Sequence, residues 1–110
     1  MKRIFTHGYS LLIGVGQCAE PQLSLPVTVK DMQVLRQILV APELCAYPDN
    51  DQHLRMLHDE GATQQAILES LEWLKAQATA DSEATAIVYY SGHGWLESAS
   101  GNYYLIPHDF

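Results

Sequence analysis

Ser91-Gly92-His93-Gly94 is the segment of this sequence best fitted to chemistry. An imidazole titrates near neutrality, so it can take a proton from a thiol and return one to a leaving amine. His93 comes three residues after the apolar run Thr85–Tyr90 (TAIVYY), so a rigid strand would anchor the ring while the strand's end leaves it exposed. The flanking glycines let the backbone turn sharply and leave room for a peptide to approach. The plainer alternative is a strand-ending loop whose histidine is simply polar and exposed.

A nucleophile for that histidine is harder to find. Cys18 and Cys45 are the only cysteines and form no CxxC pair. Cys18 follows the first apolar run, on the same rim as His93, but an idle loop thiol is the expected role there. Cys45 precedes a strand and falls on the opposite rim. Gly14-Val15-Gly16-Gln17-Cys18-Ala19 matches the G-x-G-x-x-A dinucleotide pattern. That pattern needs a helix to begin at once, so that its N-terminus can hold the pyrophosphate; here Pro21 and Pro26 intervene. His53 and His58 have opposite strand parity and do not converge on a metal, and His7 and His108 lie near the chain ends. Asp49, Asp51 and Asp59 are scattered loop acids, and no complete oxygen-ligand loop for calcium is present. No metal and no cofactor are expected.

The elements that would position His93 follow from hydrophobic patterning. Ser10–Val15 (SLLIGV) is a continuous apolar run of strand length, as in a parallel sheet buried on both faces. Thr28 and Asp31 form a T-x-x-D helix start, and an acid there also favours the helix dipole. Met32, Leu35, Ile38 and Leu39 share one face of that helix, and Pro42 stops it. His53–Leu57 reads as a short edge strand. Thr63 can cap a second helix with a stripe of Ile67, Leu68, Leu71, Leu74 and Ala78, Trp73 at its border. After Thr85–Tyr90, Gly101-Asn102 marks the turn of a small hairpin. The order strand, helix, strand, helix, strand gives two βαβ units with right-handed crossovers. Chemistry in such sheets collects at the carboxyl ends of the strands.

Composition narrows the function classes. The chain of 110 residues is enough for one small domain, with an ordinary apolar fraction of 47%. A formal net charge of −7 argues against general nucleic-acid binding, which needs basic surface to displace counterions. No stretch approaches the roughly 20 apolar residues of a membrane span, and His7, Gly8 and Tyr9 interrupt any signal-peptide core. Sparse cysteine suits a reducing, cytoplasmic location.

The run ATAIVYYSGHGW resembles a segment of the caspase/metacaspase-type cysteine peptidase domain, bacterial caspase-like proteins especially. The opening YSLLIGVGQCAEPQLSLPVTVKDMQVLRQIL, the middle GATQQAILESLEWL and the closing GNYYLIPHDF are similar to that domain too, so the resemblance covers essentially residues 1–110, as a partial domain. It implies an α/β three-layer sandwich with a mainly parallel sheet, cut short after the histidine strand and a short hairpin, with strand order second, first, third. It implies His93 as acid/base partner of a nucleophilic cysteine, the backbone N–H of Gly94 as an oxyanion donor, and Asp31 as the carboxylate selecting Arg or Lys before the scissile bond. The family's cysteine lies about 50 residues beyond the histidine, and residues 94–110 contain none. This chain alone is therefore expected to be inactive, its partners being a peptide or protein substrate and the absent C-terminal half, paired along the Thr85–Tyr90 edge. A non-catalytic binding module or a split-enzyme subunit is the alternative.

Overall fold

The run Gly8–Gly14 forms strand β1, buried at every position, because strands flank it on both sides and a helix covers each face. A computed structural model describes residues 4–16 and 27–110. After β1 come helix α1 (Val27–Val40), strand β2 (Leu54–His58), helix α2 (Gln64–Ala80) and strand β3 (Thr85–Ser91). A hairpin of β4 (Gly94–Leu96) and β5 (Tyr103–Leu105) follows. The main sheet has the order β2-β1-β3, all parallel, and β4 pairs antiparallel with β5. This is the predicted α/β three-layer arrangement with its predicted strand order.

Strand parity divides the core in two. Leu12 meets Met32, Leu39 and Tyr47 beneath α1, with Ile87 and Tyr89 of β3 packed against them. Tyr9, Leu11, Ile13 and Val15 meet Ala62 and Leu74 beneath α2, joined by Tyr90. α1 begins at Val27, so Thr28, itself buried, stands in its first turn and not outside it as a cap. At α2 the predicted cap holds: Thr63 Oγ1 accepts from the Ala66 N–H at 3.2 Å. Trp73 is partly buried and carries the Arg55 guanidinium 4.5 Å above its ring.

Three predicted core positions are exposed instead: Ile38 on α1, and Leu68 (56%) and Leu71 on α2. Both helices are wider than the three strands beneath them can cover. β3 is one edge of the sheet, and Val88 on it is 53% exposed. Among the described residues, no helix is long and apolar enough to cross a membrane.

The amino-end rim is clipped together by ionisable groups. His7 Nδ1 lies 2.8 Å from Asp81 Oδ2 and its Nε2 lies 3.1 Å from Glu83 Oε2. The Tyr9 hydroxyl donates to the same Asp81 oxygen at 2.9 Å, and the Tyr9 ring stacks on His53 at 4.7 Å. Its hydrogen bond to Asp81 holds the His7 imidazole above its ordinary pKa, and the same bond holds the Asp81 carboxyl below its own.

Candidate functional site

At the opposite rim, the carboxyl ends of β1, β2 and β3 are tied to one another. The Val15 N–H donates to Ser91 O at 2.9 Å, extending the β1–β3 ladder by one residue. Asp59, in a left-handed conformation (φ 49°) just after β2, accepts the Gly16 N–H on its carboxylate at 3.1 Å. A Cβ on Gly14 would stand 3.2 Å from Thr28 O and 3.3 Å from Val29 Cα, so α1 starts directly against the end of β1. Gly14 is in turn the register partner of Ser91.

His93 sits on this rim, two residues beyond β3, half-buried. Its carbonyl is held from two sides. The Ile106 N–H donates to it at 3.0 Å, and the Tyr90 hydroxyl lies 2.8 Å away. That hydroxyl is also 2.7 Å from Ile106 O, so its one proton is shared between two carbonyls. The His93 imidazole itself has no hydrogen-bond partner among the described residues.

Gly94 opens β4 opposite Leu105. The bonds flanking that pair run from Ile106 N to His93 O and from Glu97 N to Asn102 O. Gly94–Leu105 is therefore a non-hydrogen-bonded pair, whose N–H groups point out of the hairpin. The Gly94 N–H faces away from β5 and donates to no group among the described residues.

The glycines serve space more than dihedral angle. Neither Gly92 nor Gly94 has a positive φ; among the described glycines only Gly101, in the hairpin turn, does. A Cβ on Gly92 would instead meet the Tyr90 hydroxyl at 2.5 Å and Cζ at 2.9 Å, and one on Gly94 would run into the Tyr103 phenol. The space expected for an approaching peptide is filled, at Gly92, by a tyrosine.

Asp31 lies in the second turn of α1, exposed, with no ion pair or hydrogen bond among the described residues. The turn of α1 that carries it abuts Gly14 through Thr28, Val29 and Met32, and no hydrogen bond or ion pair joins Asp31 to His93. Cys45 is a free, exposed thiol in the loop before β2, on the far rim as expected. Cys18 and the rest of the G-x-G-x-x-A pattern from Gln17 onward lie outside the described residues. Among the described residues, no group of three His, Cys, Asp or Glu side chains is placed to hold a metal ion.

Three contributors escaped sequence reasoning. Asp59 was grouped with the loop acids, yet it fastens the β1 loop. Asp109, an exposed acid near the chain end, accepts the Gln64 N–H on its Oδ1 at 3.0 Å and helps cap α2. Tyr90 read as core, and the glycine two residues after it was the available hint that its phenol reaches the bend. An apolar recess of about 210 Å³ lined by Ile13, Ile67, Leu68, Tyr90, Leu105 and Pro107 lies beside it.

A family model for the caspase domain matches residues 7–110. No curated protein and no solved structure matches the chain. The match spans nearly every residue, including the strand, bend and hairpin that carry His93, and on that ground the chain belongs to the caspase domain family, whose members are cysteine-type peptidases.

Proposed function

We propose that this chain contributes the acid/base half of a cysteine endopeptidase site, with His93 as the proton-transfer partner of a thiolate that residues 94–110 do not supply. The observation that carries this reading is the position of His93. It stands at the carboxyl end of β3, backbone fixed by two hydrogen bonds and imidazole unengaged among the described residues. A general base needs that combination of a fixed backbone and a free ring nitrogen. The outward Gly94 N–H suits an oxyanion donor, because a backbone amide held in a hairpin needs no reorganisation as negative charge develops.

The cysteine comes from strands that extend the sheet beyond β3. The exposed β3 edge with Val88 uncovered on it, and the exposed Leu68 that lines a recess with Tyr90, support that continuation. The 110 residues alone cleave nothing; with the cysteine-bearing part present, they work in the reducing cytoplasm. Asp31 selects Arg or Lys before the scissile bond, since an exposed, unpaired carboxylate on the reactive rim attracts a basic side chain.

The test uses the protein isolated from its source and a panel of peptides that differ only in Arg, Lys or Asp before the scissile bond. Cleavage after Arg or Lys is expected. Asp31→Asn should lower kcat/KM for those peptides by about tenfold to a hundredfold, the worth of one charge-assisted hydrogen bond. Cleavage after Asp, or an unchanged preference in Asp31→Asn, would overturn the assignment of specificity.

A further inference from the structure

Tyr90 does something that its place in the core does not require. Its ring packs into the cluster beneath α2, which any aromatic or large aliphatic residue would achieve. Its hydroxyl, however, reaches past the end of β3 to His93 O at 2.8 Å and Ile106 O at 2.7 Å. These carbonyls stand just before β4 and just after β5, and the Ile106 N–H closes the same ring of contacts onto His93 O at 3.0 Å. The chain is shaped to admit the phenol: a Cβ on Gly92 would collide with the hydroxyl.

We propose that Tyr90 is a positioning residue for His93: its hydroxyl pins the bend Ser91–Gly94 to the start of β4 and the end of β5, fixing where the imidazole and the Gly94 N–H stand. This rests on the reading of His93 as the acid/base group. Tyr90 acts on the backbone on either side of the reacting groups and touches no substrate. A single O–H shared by two carbonyls favours the one arrangement in which both are within reach, so the phenol selects a conformation as well as stabilising it. Without it, His93 O keeps only the Ile106 N–H among the described residues, and the short hairpin loses a hydrogen-bonded tie to β3.

Amide hydrogen exchange on wild type and Tyr90→Phe, followed residue by residue by NMR, tests this directly. Phenylalanine retains the packed ring and removes only the hydroxyl. Exchange at the Ile106 N–H is expected to quicken about fivefold to tenfold, as loss of one hydrogen bond implies, while the amides of Leu11, Leu12 and Ile13 keep their protection. Unchanged exchange at Ile106 would overturn the proposal. So would a uniform loss of protection through β1, which would make the hydroxyl a global stabiliser. In the protein isolated from its source, Tyr90→Phe should lower kcat about tenfold with KM little changed. His93→Gln separates the two claims. If it still cleaves, the reading of His93 fails while the exchange result on Tyr90 stands by itself.

Discussion

Replacing Gly92 by alanine asks whether the bend after β3 is built around the Tyr90 phenol. The added Cβ would lie 2.5 Å from the hydroxyl oxygen, 2.9 Å from Cζ and 3.3 Å from Cε1. Ordinary contact of about 3.5 Å requires the phenol to retreat by about 1 Å. From carbonyls at 2.7 and 2.8 Å, that movement takes the hydroxyl out of hydrogen-bond range. The lost bond costs about 1 kcal/mol and the residual overpacking about 1–2 kcal/mol. The sum of about 2–3 kcal/mol corresponds to a fall in Tm of roughly 10–20 °C for a domain of this size. The sign is the informative part. Gly92 does not have a positive φ, so alanine meets no left-handed backbone penalty, and without the clash it would stabilise by about 0.4–1 kcal/mol through the unfolded chain. Thermal unfolding of Gly92→Ala, Tyr90→Phe and the double variant forms a cycle. Because the second change removes the nearest colliding atom, the two effects should fall short of additive by about 1 kcal/mol. A neutral or stabilising Gly92→Ala, or strict additivity, would refute the packing described for this bend.

Other expectations follow from polar groups elsewhere in the fold. Ser10 is fully buried in β1 and its hydroxyl has no hydrogen-bond partner among the described residues. Ser10→Ala should therefore leave stability unchanged or raise it by about 1 kcal/mol in denaturant titration, and a loss above that size would reveal a partner for the hydroxyl. The His7 clip makes stability depend on pH. Its pKa is raised in the fold, so its contribution is complete below the ordinary value of 6.5 and is lost as pH rises through the folded value. Asp81 works in the opposite sense: its contribution is present above the ordinary 3.8 and is lost as pH falls through its lowered value. As pH rises above 6.5, wild-type Tm should decline more steeply than that of His7→Gln; parallel profiles would contradict the clip.

Much of this arrangement was legible in the sequence, for identifiable reasons. The unbroken apolar runs at Ser10–Val15 and Thr85–Tyr90 read as parallel strands, the first central and the second at the edge of the described sheet, and the helical stripes fixed two crossovers between them. The Thr63 cap was readable because capping is local. Periodicity names the apolar face of a helix but not the width of the sheet beneath it, which is why Ile38, Leu68 and Leu71 were assigned to a core that does not reach them. The ties that shape the rim are long-range: Asp59 to Gly16 across 43 residues, Asp109 to Gln64 across 45, and Tyr90 to Ile106 across 16. Patterns within one element carry no trace of such contacts. The glycines around His93 were read as freedom for the backbone; the structure uses Gly92 as space for a side chain.

The most direct measurement of the central claim is peptide cleavage by the protein from its source, comparing wild type with His93→Ala. Loss of an acid/base group should lower kcat/KM by about a hundredfold or more while Tm stays near the wild-type value, because the imidazole has no hydrogen-bond partner among the described residues. Cleavage by His93→Ala at the wild-type rate would contradict the account and leave the bend after β3 as a structural turn.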